Sequence, residues 1–355
     1  MKKILFIIPT ITQTNGVVAF IVNYLKYMEK PNFEVEVIYN NLRPSKYYEE
    51  FFLKNNIRTY QLPYVRAVGL RRYCKAIKLF FENNHDYDLI YSNVSYQTYF
   101  FYMFAKKYGM KNFAIHSHAT KSSDNKIKKI FGNILQKEVN KVCKHKFACS
   151  KLAGEAMFMN DDFTVINNAI NYDKYKFDSE NRNYIRSKMK ISKETKVVGF
   201  VGRFTPQKNV FFFIGLIKKL PLEYKILMIG DGQQKKEFLK IVKDNDLENR
   251  FIFVDETNKV NLFYSAFDYF LLPSLYEGLP VVGVEAQANG LPCLLSNTIS
   301  NECKISNNVV YLDKDNVNEW ISKIRVMCRV DNIKLDDGFN INVQAKYFEN
   351  ILEKI

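Results

Sequence analysis

The segment Ser274-Leu275-Tyr276-Glu277-Gly278-Leu279-Pro280-Val281-Val282-Gly283-Val284-Glu285 gathers residue types that can hold an anion and sugar hydroxyls together. Gly278 relaxes a turn, and Pro280 suits the first helical position, where its missing N–H would lack a partner anyway. The amides of Val281 and Val282 would then face a phosphate, aided by the positive end of the helix. Glu277 and Glu285 make little sense beside a bare phosphate. They make sense if the phosphate carries sugars, whose hydroxyls need acceptors. A second segment, Val201-Gly202-Arg203-Phe204-Thr205-Pro206-Gln207-Lys208-Asn209, puts Arg203 and Lys208 on one loop, an arrangement suited to gripping a diphosphate. A third, Pro9 to Gly16, opens a helix with one glycine, where backbone amides could approach an anion. It lacks the Gly-x-Gly-x-x-Gly pattern of a dinucleotide-binding turn.

These loops need a scaffold, and the hydrophobic pattern supplies one. Short apolar runs read as strands: Ile4–Ile8, Phe33–Tyr39, Leu89–Ser92, Phe113–His116, Lys146–Ala148, Val197–Val201, Tyr224–Ile229, Arg250–Val254, Tyr269–Leu272 and Pro292–Leu295. Helix-like stretches such as Val17–Met28, Tyr73–Asn83, Asn209–Lys219 and Pro280–Asn289 lie between them. Such alternation predicts an α/β chain with parallel sheets covered on both faces. Two series, joined by the polar stretch Asn171–Thr195, predict two doubly wound, Rossmann-like domains facing each other across an interdomain cleft. Each chemistry-bearing loop then falls at the carboxyl end of a strand, where open parallel sheets bind ligands.

Length and composition agree. The 355 residues exceed one ordinary core, and 47% hydrophobic with 25% charged residues excludes a disordered or fibrous chain. No apolar run approaches the ~20 residues of a membrane-spanning helix. The apolar run after Met1-Lys2-Lys3 stops at Pro9, too short for a signal peptide, so a buried first strand inside the cell is expected. Six cysteines without a Cys-x-x-Cys argue against a disulfide framework, and Cys143, His145 and Cys149 fit no metal template. The net charge of +15 is uneven: residues 1–175 carry +12 and the remainder +3. Lys121–Lys146 holds eight lysines, among them Lys121, Lys126, Lys128 and Lys129, interleaved with Ile127, Ile130, Phe131, Ile134 and Leu135. That pattern fits a surface-lying helix that meets an anionic bilayer and an acceptor embedded in it. Asp86-Tyr87-Asp88 mimics a metal-binding pair but precedes its strand, at the end away from the expected site.

The Glu277-x7-Glu285 signature, with Gly202-Arg203-Phe204 and Lys208, resembles retaining glycosyltransferases of family 4, which have the GT-B fold. His116-Ser117-His118, Val165-Ile166-Asn167-Asn168 and Ile229-Gly230-Asp231-Gly232 look like further landmarks of that family. The resemblance extends over nearly the whole chain and points to enzymes of bacterial capsule and exopolysaccharide synthesis. It implies an acceptor-binding domain at 1–172, a nucleotide-sugar domain at 173–338, and a helix at 339–355 crossing back to the first. By the same resemblance Glu285 would hold ribose hydroxyls, while Glu277, Gly278 and Leu279 would contact the transferred sugar. Arg203 and Lys208 would neutralise the diphosphate without a metal or any other cofactor, and Gly16 would let its loop close on the donor. His118 would sit near the donor sugar, aiding its orientation or the developing charge, whereas His116 reads as structural. Asn15-Gly16 replaces a glycine pair frequent in the family, and Asp255 stands where relatives often have glycine.

The expected reaction moves a hexose or N-acetylhexosamine from a nucleotide-diphosphate sugar, UDP by expectation, to a saccharide, lipid-diphosphate-linked, on the inner face of the cell membrane. Breaking the sugar–phosphate bond leaves an oxocarbenium-like ring and negative charge on the departing phosphate, which preorganised cations and helix amides stabilise. In the resembled family that phosphate takes the acceptor's proton on the same face, so no carboxylate nucleophile is assigned. A nucleotide-sugar epimerase of GT-B fold is the alternative, and it would convert the donor with no acceptor. A catalytically silent partner subunit would tolerate loss of Glu277. A basic nucleic-acid-binding protein would leave both glutamates idle.

Overall fold

A computed structural model describes the chain apart from residues 13–14, 30, 41–43, 119–125, 160–161, 278 and 332, and apart from the side chains of 126–131. The chain divides into two compact units. One comprises Met1–Ala169 with Ile341–Ile355, and the other Ile170–Asn340.

The first unit is built on β1 (Lys2–Ile8), β2 (Phe33–Asn40), β3 (Arg58–Leu62), β4 (Leu89–Ser92), β5 (Phe113–Ser117), β6 (His145–Ala148) and β7 (Thr164–Val165). They pair in the order β3-β2-β1-β4-β5-β6-β7, and every ladder is parallel. Alternate residues of β1 serve opposite faces, as the two-residue period of a strand requires. Ile4, Phe6 and Ile8 pack with Val18, Ile21 and Tyr24 of the helix Gly16–Tyr27 and with Phe348 of the helix Ile341–Lys354. Leu5 and Ile7 pack with Tyr73 and Ile77 of the helix Leu70–Asn83 and with Phe101. Phe348 is buried among the rings of Tyr24, at 5.4 Å, and Tyr91, at 5.5 Å.

The second unit holds β8 (Lys196–Val201), β9 (Tyr224–Ile229), β10 (Phe251–Val254), β11 (Tyr269–Leu272), β12 (Cys293–Ser296) and β13 (Val309–Leu312), in the parallel order β10-β9-β8-β11-β12-β13. A single apolar cluster wraps this sheet on both sides.

The polar stretch Asn171–Thr195 is not a bare linker. It contains the helix Ser179–Lys188, capped by Asp178, whose Oδ1 accepts from the amides of Glu180 and Asn181. Arg182 and Arg186 of this helix donate to the carbonyls of Ser265, Ala266 and Phe267 and pair with Asp268. These carbonyls end the helix Val260–Ala266, and the guanidinium groups satisfy acceptors that would otherwise be left over. Its polarity therefore records a charged helix-to-helix contact within the second unit.

Candidate functional site

In each sheet the strand order reverses once, between β1 and β4 in the first unit and between β8 and β11 in the second. Loops leaving the two strands on either side of such a reversal diverge and leave a crevice at the carboxyl ends. In the second unit those loops are the Arg203–Lys208 and Leu275–Pro280 segments.

They are tied together. Leu275 N donates to Gln207 O at 2.8 Å, and Gln207 Nε2 donates to Tyr276 O at 3.0 Å. Lys208 Nζ lies 2.7 Å from Glu277 Oε1, with 13% and 11% of the two side chains exposed. The approach is off the line of a hydrogen bond, so the contact is an ion pair and the Glu277 oxygen retains acceptor capacity. Glu277 is also fixed through its backbone, which bridges to Ile299 after β12. Arg203 is exposed, and among the described residues its guanidinium has no bond. The loop after β9 buttresses the same place. Phe204 N donates to Asp231 O, and a Cβ on Gly230 (φ +138°) would sit 2.1 Å from Gly202 O. Only glycine permits that approach. Asp255, after β10, pairs at 2.6 Å with Lys235, which also donates to Gly230 O and holds the Asp255 carboxyl below its usual range.

Beyond Glu277, the helix Val281–Ala288 starts after Pro280 with no side-chain cap. Among the described residues the amides of Val281 and Val282 have no acceptor, while Gly283 N donates to Pro280 O. Leu279 is half-buried against the core; Gly278 lies outside the described residues. Glu285 points from this helix into a tyrosine clamp. Its Oε1 accepts from Tyr175 Oη and its Oε2 from Tyr264 Oη, each at 2.7 Å. Burial pushes the Glu285 carboxyl up, and the two phenol donors oppose that rise. Each carboxylate oxygen carries two lone pairs, so both can still accept a further hydroxyl. Neither tyrosine is marked by the sequence pattern. Tyr175 falls in the polar stretch, and Tyr264 reads as an ordinary apolar position of its helix.

In the first unit, His118 follows β5 and its Nε2 lies 2.8 Å from Asn93 Oδ1, at the end of β4. Its ring stacks on His116, centroids 4.1 Å apart, and burial pushes its pKa down to about 3. His116 is fully enclosed, with Nδ1 bonded to Tyr91 Oη at 2.8 Å, which fits its structural reading. Gly16 begins its helix in open space: among the described residues nothing lies within 4 Å of where a Cβ would stand, so no contact there requires glycine. Asn15 caps that helix through Val17 N at 2.9 Å. Asp86 pairs with Lys3 Nζ and Asp88 accepts from Lys3 N, which leaves both engaged at the amino end of β1. Lys126, Lys128 and Lys129 belong to the helix Lys126–Val142, but their side chains, like all of Lys121, lie outside the described residues. Toward its other end that helix joins the core through Leu135 and Val139, while Ile134 is exposed. Among the described residues no group of three His, Cys, Asp or Glu could hold a metal ion, and no helix is long and apolar enough to cross a membrane.

Residues 181–330 match Glycosyl transferases group 1. The chain is 25% identical to the capsular polysaccharide biosynthesis glycosyltransferase CapH of Staphylococcus aureus over 78% of this chain and 79% of that one. It is 26% identical to the UDP-Gal:alpha-D-GlcNAc-diphosphoundecaprenol alpha-1,3-galactosyltransferase of Escherichia coli, over 54% and 55%. The crystal structure of HepE from Anabaena, in complex with UDP and glucose, superposes with a TM-score of 0.74 at 16% identity, over 99% of this chain and 95% of HepE. The fold is GT-B. Together the match and the relatives support a GT-B glycosyltransferase of polysaccharide biosynthesis.

Proposed function

We propose that the protein is a retaining, metal-independent transferase. It moves a hexose or N-acetylhexosamine from a UDP-linked sugar to a lipid-diphosphate-linked saccharide on the inner face of the cell membrane. The observation that carries this reading is the pairing of Lys208 with Glu277 beside an uncapped helix start, at the sheet reversal of the second unit. A diphosphate entering there meets a cation and two amides that have no acceptor among the described residues, while Glu277 offers acceptor capacity to the sugar attached to it. Arg203, exposed on the same loop, adds a second cation. Glu285, held open by its tyrosines, takes the ribose hydroxyls. HepE, solved with UDP and glucose, and the E. coli galactosyltransferase, named for a UDP-sugar donor and a lipid-linked acceptor, support the donor and acceptor classes. With its pKa near 3, His118 is neutral at pH 7, so it orients the donor sugar rather than carrying charge.

As the anomeric carbon–oxygen bond breaks, its electron pair goes to the departing phosphate, whose charge Lys208, Arg203 and the Val281 and Val282 amides stabilise. The acceptor hydroxyl attacks from the same face and passes its proton to that phosphate. The test is incubation of the pure protein with a panel of UDP-sugars and a polyprenyl-diphosphate saccharide, with and without a chelator. Transfer that survives the chelator, with the donor's anomeric configuration kept in the product, is expected. Inverted product, or turnover abolished by the chelator and restored by a metal, overturns the retaining or metal-independent assignment. Flotation with anionic vesicles should show binding that fades with salt; equal binding to neutral vesicles counts against the role of the lysine-rich helix.

A further inference from the structure

The parallel pairing of β4 with β5 brings Asn93 and His118 together, one after β4 and the other after β5. Asn93 is buried, and its orientation is fixed by its own bonds: its backbone N donates to Ile7 O at 2.8 Å, and its Nδ2 donates to the same carbonyl at 3.2 Å. A carboxamide nitrogen that must face a carbonyl leaves the oxygen for the other side, where His118 Nε2 lies at 2.8 Å. An amide oxygen only accepts, so the proton of that bond sits on His118 Nε2. The neutral ring then carries a lone pair on Nδ1, and among the described residues Nδ1 has no partner. One face of the ring is covered by His116, stacked at an interplanar angle of 21°, and Phe20 meets it edge-on at 5.2 Å. The ring is thus held on one edge and one face. Among the described residues no hydrogen bond engages its acceptor edge.

We infer that Asn93 is a positioning residue that locks His118 as the Nε2–H tautomer, so that Nδ1 accepts a hydrogen bond from a hydroxyl of the donor sugar. The second half of this statement rests on the glycosyl-transfer reading above, while the first stands on geometry alone. A sugar hydroxyl can both donate and accept, so the locked ring demands that it donate, and it rejects a donor in which that hydroxyl is replaced by hydrogen or a methyl ether. The Nδ1–H tautomer would present a donor instead and would compete for the hydroxyl's lone pairs.

The tautomer can be read directly from long-range proton–nitrogen spectra of the full chain labelled with nitrogen-15 histidine. The chain has four histidines, and the His118→Gln variant assigns the relevant signals by their loss. The wild-type protein at pH 7 should show His118 Nε2 as the protonated nitrogen and Nδ1 as the bare one. Asn93→Ala should give a mixture of tautomers and lower kcat/KM for the UDP-sugar about tenfold, the effect of one hydrogen bond. A wild-type spectrum with the proton on Nδ1, or an unchanged His118 signal in Asn93→Ala, overturns the inference. The wild-type spectrum decides even if a variant fails to fold. A correct tautomer in a protein that turns over no UDP-sugar leaves the lock standing and overturns the sugar contact together with the transfer reading.

Discussion

Removing one hydroxyl from the tyrosine clamp, by Tyr264→Phe, tests whether Glu285 is a buried carboxylate held by donated hydrogen bonds. The phenyl ring keeps the apolar packing of Tyr264, which is wholly buried, so the substitution removes the 2.7 Å bond to Glu285 Oε2 and the longer 3.3 Å contact of the same hydroxyl with Val282 O. A hydrogen bond to a charged group contributes about 1.5–3 kcal/mol, against roughly 1 kcal/mol for a neutral pair. The sign with pH follows from the carboxyl. Burial raises its folded-state pKa above the unfolded value, so its contribution to stability is present at low pH and lost as pH rises through the folded pKa. The phenol donor favours the charged form, and without it the folded pKa moves higher still. Tyr264→Phe should therefore cost about 1 kcal/mol at pH 5, rising toward about 2 kcal/mol by pH 8 as the carboxyl ionises. For a unit of this size that corresponds to a fall of about 4–8 °C in Tm at pH 8. In a Glu285→Gln background the same substitution should cost about 1 kcal/mol at both pH values, because the bond there is neutral. Denaturant melts of the four proteins at two pH values measure all of this. Equal losses at pH 5 and pH 8 in the wild-type background would refute the reasoning, since the phenol would then not be supporting a charge.

Three further outcomes follow from neighbouring contacts. Lys208→Met strands the Glu277 carboxylate with 11% exposure and should cost about 3 kcal/mol of stability, together with a hundredfold or greater loss in kcat. Replacing both residues, as Lys208→Met with Glu277→Leu, should return most of the stability in chemical melts but none of the turnover; recovered turnover would argue that the pair is only structural. Gly230→Ala places a methyl 2.1 Å from Gly202 O at a φ of +138°, so it should destabilise the second unit by about 3 kcal/mol and weaken UDP binding in calorimetry. Phe348→Ala should cost about 3–5 kcal/mol and lower the protection of β1 and β4 amides in hydrogen exchange, while β8 and β11 amides keep theirs.

Most of the scaffold is legible in the sequence because buried parallel strands are continuous apolar runs. Tyr224–Ile229 and Tyr269–Leu272 needed no correction, and Ile4–Ile8 only gains Lys2 and Lys3 at its start. What escapes is polar or short. β3, Arg58–Leu62, is an edge strand with most of its residues facing water, and β7 is two residues long. The helix Ser179–Lys188 is hidden because it buries only Ile185 of its apolar residues and turns Arg186, a residue that reads as surface, inward beside it. At the site, glutamates, cations and glycines announce themselves through spacing within a loop. Their partners do not. Asn93 lies 25 residues from His118 and Tyr175 lies 110 from Glu285, distances over which only the fold decides who meets whom.

That the helix Ile341–Lys354 completes the first unit has a bearing on how the chain is made. Its seat against Phe20, Tyr24 and Tyr91 is ready long before its occupant leaves the ribosome, because residues 170–340 must be synthesised in between. At the usual ~5–20 residues per second that delay is roughly 10–35 s. Throughout it, an aromatic trough stands uncovered on the nascent polypeptide while the later unit can already close on itself. The half that begins first is therefore finished last, and it is the half that a holdase would be needed to shield.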